Sequence, residues 1–172
     1  SRPSGGLYRV FANGDIDTME SNITVSNGLG WSPDTLTFYF VDTIPGIIYA
    51  YDRDPDTGSL SHRRVFAKIP ENEGRPDGLT VDSDGGVWCA IWDGWCVRRY
   101  MPDGKLDRVV DMPVPRPTSV TFGGKDYSTL FITSARTRLP ATTLSEAPLS
   151  GGLFAFEPGE KGVKPKLFEI DE

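Results

Sequence analysis

A unit of four short apolar runs, each closed by a turn, recurs along this chain and leaves few folds open to it. The first complete unit reads Asn27-Gly28-Leu29-Gly30-Trp31, a turn at Ser32-Pro33-Asp34, Leu36 to Val41, Ile48 to Asp52, a turn through Pro55 to Gly58, and Arg64 to Ala67. The second keeps that order with Asp77-Gly78-Leu79-Thr80-Val81, Val87 to Ile91, Val97 to Tyr100 and Leu106 to Val110. A third runs from Thr118-Ser119-Val120-Thr121-Phe122 through Leu130 to Thr133 and Leu153 to Phe156, and is expected to end on a strand from Lys166 to Ile170. Ahead of all three, Leu7-Tyr8-Arg9-Val10 with Asn13-Gly14 matches only the second half of a unit.

The runs are short, β-branched or aromatic, and bounded by turn residues, which predicts an all-β chain. Units of about 40–50 residues with four strands each are blades of a β-propeller of four-stranded antiparallel sheets. Residues 1–172 are therefore expected to form about three and a half blades in one β-propeller domain, with Arg136 to Gly151 as a surface loop. The half-unit lacks its two inner strands, and an open strand edge invites pairing. The expected resolution is that the chain is the C-terminal piece of a longer propeller. The alternative is closure against a second chain.

Composition excludes some partners. With 18 Lys+Arg against 24 Asp+Glu the net charge is −6, and neither nucleic acid nor an anionic membrane surface suits that balance. No apolar run is long enough to span a bilayer, and Ser1-Arg2-Pro3-Ser4-Gly5-Gly6 lacks the apolar core of a signal peptide. Cys89 and Cys96 flank the turn dipeptide Asp93-Gly94. A two-residue hairpin there pairs Trp92 with Trp95 and Ile91 with Cys96, leaving Cys89 diagonal to Cys96 and too far for easy bridging. Both are expected to be buried and reduced, and the cytoplasm is the expected compartment.

Two stretches carry candidate chemistry. Ser26-Asn27-Gly28-Leu29 and Pro76-Asp77-Gly78-Leu79 each place an oxygen-bearing side chain before Gly at the mouth of a strand. If the two strands are neighbours in a radial array, Asn27 and Asp77 point at a common centre and can share a cation. The competing reading is that Asn-Gly and Asp-Gly are turn dipeptides whose side chains cap their own loops. Other constellations fail. Asp52 to Arg63 resembles a calcium loop but has Thr57 where Gly is needed and Arg63 where Glu is needed. His62 is the single histidine, and no G-x-S-x-G elbow accompanies it. Trp31 and Trp88 are expected in the core. Trp92 and Trp95 flank the Asp93-Gly94 turn, and one of them, with Trp92 the candidate, is expected at the channel mouth, where it could stack on a sugar. Arg136 and Arg138 could meet an anionic substrate, although a solvated loop is the preferred account of them.

Taken in order, Gly6-Leu7-Tyr8, Ser26-Asn27-Gly28-Leu29 with Trp31-Ser32, Tyr49 to Asp54 with Thr57-Gly58, Pro76-Asp77-Gly78 with Asp82, Val87-Trp88, Phe122-Gly123-Gly124 and Gly151-Gly152-Leu153-Phe154 make this chain resemble the senescence marker protein (regucalcin)/gluconolactonase family. The likeness runs from about Gly5 to Ile170. It implies a six-bladed propeller when intact, and hydrolysis of a sugar lactone with one divalent metal ion (Ca, Zn, Mg or Mn) in the central channel. It further implies that Asn27 and Asp77 are metal ligands and that Asp77 is also the general acid/base. A glutamate ligand and the family's Arg and Asn substrate contacts would lie before Ser1. The expected function is thus that of a metal-dependent sugar lactonase. A non-catalytic calcium- or sugar-binding propeller, or an inactive segment serving as an interaction platform, are the alternatives.

Overall fold

The computed structural model describes residues 3–166. Four antiparallel sheets follow one another along the chain. β1 (Gly5–Val10) and β2 (Ile16–Ile23) form a two-stranded half-blade. β3 (Ser26–Trp31), β4 (Thr37–Asp42), β5 (Ile47–Arg53) and β6 (Leu60–Lys68) make the first four-stranded blade. β7 (Arg75–Val81), β8 (Val87–Trp92), β9 (Cys96–Tyr100) and β10 (Leu106–Asp111) make the second. β11 (Pro117–Gly123), β12 (Thr129–Ser134) and β13 (Leu153–Phe156) belong to the third, whose expected outer strand at 166–170 falls almost wholly outside the described residues. The chain is a partial β-propeller. Among the described residues no helix is long and apolar enough to cross a membrane.

Strict alternation on strands buried on both faces is what stacks the blades. On β4, Phe38 and Phe40 point toward the half-blade and join Leu7, Ile23 and Tyr51. Tyr39 and Val41 point the other way and meet Leu79, Val81, Val87 and Cys89 of the second blade. On β8, Trp88 and Ala90 face Val120, Phe122, Leu130 and Ile132 of the third. Each interface is thus a dry layer fed by every second residue of two neighbouring sheets.

Polar ties close the rest. Asp82, fully buried at the end of β7, accepts hydrogen bonds from the Gly86 amide (2.8 Å), Trp88 Nε1 (2.8 Å) and Arg99 Nε (2.8 Å). Arg108 reaches Glu160 at 2.7 Å, and Ser83 donates its amide to the Lys161 carbonyl, so the segment after β13 is strapped across the second blade.

Three expectations need correcting. Trp31 is 47% exposed rather than core. It meets Phe38 at a tilt of 56° (5.4 Å between centroids), on the face of β3 that looks toward the half-blade, where no inner strand of the described chain covers it. The loop 136–151 contains a short helix, α1 (Ala141–Glu146), introduced by Pro140. The Asp93-Gly94 turn keeps the expected pairing of Ile91 with Cys96 but is wider than two residues. Gly94 closes on the Ile91 carbonyl, while the Trp95 amide is drawn off to the Pro115 carbonyl. Cys89 and Cys96 are free and buried as expected, and burial pushes the Cys89 thiol up to about 12.

Candidate functional site

The first strands of the three blades lie side by side because glycine lets their backbones touch. A methyl group on Gly28 would sit on the Leu79 amide nitrogen and 2.6 Å from the Asp77 carbonyl oxygen. One on Gly78 would lie 2.7 Å from the Ser119 Cα. β3, β7 and β11 are therefore in direct contact, in that order.

Each of these strands carries a β-bulge at the same place. Ser26 pairs with Asp42 and Leu29 with Phe40, so three steps on β3 match two on β4. Pro76 pairs with Ile91 and Leu79 with Cys89, the same mismatch. Pro117 pairs with Ser134 and Ser119 with Thr133, two steps against one. A bulge leaves one residue out of the ladder and re-aims its side chain. The bulges span Asn27-Gly28, Asp77-Gly78 and Thr118, so Asn27, Asp77 and Thr118 each open the bulge of their blade.

Asn27 is set by its own blade. The buried Asp42 carboxylate accepts the amides of Thr24 (3.0 Å) and Val25 (3.0 Å), which fixes the approach to β3. The next residue, Thr43, donates its amide to the Val25 carbonyl (3.1 Å) and receives Asn27 Nδ2 on its hydroxyl at 3.2 Å. Neither Asp42 nor Thr43 stood out in the sequence. Their signal is an Asp-Thr pair directly after the strand that faces Asn27.

Asp77 is half-buried, and that burial pushes its carboxyl up to about 6. The neighbouring Asn27 side chain and Gly78 amide pull in the opposite direction without cancelling it. The two sequence-derived candidates are therefore brought together: an amide within hydrogen-bonding reach of a carboxylate. The carboxylate forms no ion pair among the described residues. At neutral pH it is mostly ionised, yet basic enough to take a proton.

Asn and Asp supply hard oxygen donors, the type that suits Ca²⁺ or Mg²⁺. An ionised carboxylate without a cation beside it, next to a side-chain amide, fits part of a cation site. It is part only. Among the described residues no group of three or more His, Cys, Asp or Glu is arranged to hold a metal ion, and a calcium ion takes about six to eight oxygens.

Trp92 ends β8 opposite Arg75, at the same end of the sheet as Asp77. One face of its ring is already covered by the Arg116 guanidinium, 4.7 Å from the centroid. Arg116 is itself held by Asp93 (2.5 Å) and by the Thr137 carbonyl (2.6 Å). Arg136 is exposed, two residues beyond the end of β12 at Ser134. Asn27 and Asp77 meet; Trp92 and Arg136 are at the rim of the same end. A groove of about 920 Å³ lies elsewhere, between the half-blade and β3, lined by Tyr8, Val10, Leu29 and Trp31. Its lining also includes Arg9, Arg53, Lys164 and Lys166, and it contains neither Asn27 nor Asp77.

A family model described as "SMP-30/Gluconolactonase/LRE-like region" matches residues 1–136. The chain belongs to the SMP-30/gluconolactonase/LRE-like family. A regucalcin from Oryctolagus cuniculus is 39% identical over 166 residues, which is 95% of this chain and 56% of that protein. Pentonolactonase XacC from Haloferax volcanii is 41% identical over 131 residues, covering 76% of this chain and 45% of that protein. Among solved structures, a protein described as the calcium-binding protein regucalcin, from Agrobacterium tumefaciens, superposes with a TM-score of 0.92 at 31% identity. That match covers 99% of this chain and 58% of the other. The chain thus spans a little over half the length of the SMP-30/gluconolactonase relatives it resembles along nearly its whole extent.

Proposed function

We propose that, in the complete protein, this centre hydrolyses a sugar lactone, with Asp77 as general acid/base beside a divalent cation held in part by Asn27 and Asp77. The observation that carries the reading is the Asp77 carboxyl at its bulge, raised to about 6, in reach of Asn27 and unpaired with any cation among the described residues. The lactonase names borne by the family and by the Haloferax relative support the reaction class.

Opening a lactone needs water to add to the carbonyl carbon and the ring C–O bond to break. Ionised Asp77 accepts one proton from the water as its oxygen bonds to that carbon. The tetrahedral adduct collapses with cleavage of the ring bond, and protonated Asp77 returns the proton to the departing alkoxide. The product is the open hydroxy acid, and Asp77 ends as it began. Asn27 and the Gly78 amide hold the carboxylate in place through both transfers. A bound divalent cation (Ca, Zn, Mg or Mn) would supply Lewis-acid polarisation of the lactone carbonyl.

The greater length of the relatives supports a longer propeller as the source of the remaining ligands and blades, in preference to a second chain. A net charge of −6 supports a small neutral substrate over nucleic acid. The second reading, a calcium-binding propeller without turnover, draws support from the description of the Agrobacterium neighbour. The deciding experiment is acid release on adding glucono-δ-lactone to the metal-loaded complete protein. Metal-stimulated release that Asp77→Ala abolishes supports the hydrolase; metal binding by calorimetry with no acid release from any lactone leaves the second reading.

A further inference from the structure

We infer that Thr118 is a third member of this centre, a positioning residue whose hydroxyl binds a hydroxyl group of a polyhydroxylated lactone. The inference rests on the reading of Asn27 and Asp77 given above. Three observations lead to it. Register makes Thr118 the counterpart of those two residues, since it directly follows Pro117, the last paired residue before the bulge, as Asn27 follows Ser26 and Asp77 follows Pro76. Contact makes it their neighbour, because Gly78 lies against Ser119 as Gly28 lies against Asp77 to Leu79. β11 therefore flanks Asp77 on the side opposite Asn27.

The third observation is chemical. Thr118 Oγ1 and Thr133 Oγ1 are 2.7 Å apart, and Thr133 Oγ1 is 3.5 Å from the Ser119 carbonyl. Each hydroxyl carries one proton and two lone pairs. If Thr133 donates to Thr118, the Thr118 proton is free to be donated onward. If Thr118 donates, its oxygen still has lone pairs to offer. Either way Thr118 keeps hydrogen-bonding capacity that the fold does not use, and it belongs to none of the buried apolar clusters. Asn27 and Thr118 are each braced by a threonine hydroxyl from the strand or turn beside them, Thr43 in one case and Thr133 in the other. A neutral hydroxyl is a weaker ligand for a hard cation than a carboxylate or a carbonyl oxygen, so its natural partner is the substrate's own hydroxyls.

The test uses the complete protein carrying Thr118→Val, which keeps shape and removes the hydroxyl, with Thr118→Ala as a second variant and Thr118→Ser as the conservative one. For glucono-δ-lactone, kcat/KM falls about five- to tenfold in the first two, the loss of one hydrogen bond, and the fall lies in KM. Turnover of δ-valerolactone, which has no ring hydroxyls, and metal affinity by calorimetry do not change, and Thr118→Ser restores the wild-type KM. An equal loss on both lactones, a changed metal affinity, or no loss at all overturns the inference. If the wild-type protein opens no lactone, the reaction proposed above falls, and gluconate binding by calorimetry then decides on Thr118. Weaker gluconate binding in Thr118→Val sustains its role as a polyol contact; equal binding, or none to either protein, ends it.

Discussion

Gly28 of β3 rests against the Asp77 carbonyl of β7, with room for a hydrogen on its Cα and for nothing larger. This contact sets how far apart the Asn27 and Asp77 bulges sit, because each of those residues is the chain neighbour of a glycine in the packed interface. The glycines are there for closeness, not for turn conformation.

Gly28→Ala should therefore push two blades apart at the point where the candidate ligands converge. Overpacking of this kind costs about 1–3 kcal/mol. Urea denaturation should show that loss, and calorimetry should show weaker cation binding in the folded variant. Wild-type cation affinity in Gly28→Ala would separate the packing contact from the site.

Asp77→Asn preserves size and removes the base. Turnover of a lactone should drop by at least about a hundredfold, the usual range for a general acid/base, with an unchanged far-ultraviolet circular dichroism spectrum. Retained turnover would transfer the base role elsewhere.

The same substitution has a pH signature in stability. Burial lifts the Asp77 carboxyl from its ordinary 3.8 to about 6, so the folded state prefers the protonated form. The ionised group costs stability fully above about 6; the cost shrinks as pH falls through that value and is gone below the ordinary one. In chelator, Asp77→Asn should be more stable than wild type at pH 7.5 by on the order of 1 kcal/mol, a figure reduced from about 1.4 kcal/mol per pKa unit because the carboxyl keeps contact with solvent. The gap should narrow by pH 5. Thermal melts of both proteins across that range measure it, and a gap that widens on acidification would contradict the assignment.

Thr43→Val removes the hydroxyl that receives the Asn27 amide. Residues that orient ligands in this way are worth about tenfold or more in metal affinity. Calorimetry should show that drop with a nearly unchanged melting temperature.

Asp82→Ala should act on the fold alone. It strips Arg99 and the Trp88 indole of a fully buried partner, and breaking a buried pair costs about 3–5 kcal/mol. Arg99 keeps Asp107 at 2.9 Å, which argues for the lower end. Denaturant midpoints followed by tryptophan fluorescence report both the loss and the altered surroundings of Trp88.

Much of this architecture was legible in the order of residues. The runs Val87 to Ile91 and Leu130 to Thr133 announce strands because β-branched and aromatic residues there are bounded by turns, and Ile91 does pair with Cys96. Asn27 and Asp77 do approach one another. What stayed hidden depends on partners distant in the chain. A bulge is a mismatch between two strands, so although Thr118 opens the third unit as Asn27 and Asp77 open the others, its release from the ladder is not visible in one strand. Trp31 looks like core because nothing local says that its face of β3 lacks a covering strand. Helix α1 was missed because Pro140, which opens it, also reads as loop.

The recurring bulge separates what holds the sheets from what occupies their common centre. Paired residues flank the kink in all three blades, over one unpaired residue in the third and two in the others, while the residue that opens the kink is an amide, an acid or an alcohol. A lineage with this layout can revise its chemistry one codon at a time, exchanging a single protruding group while every ladder around it stays as it was.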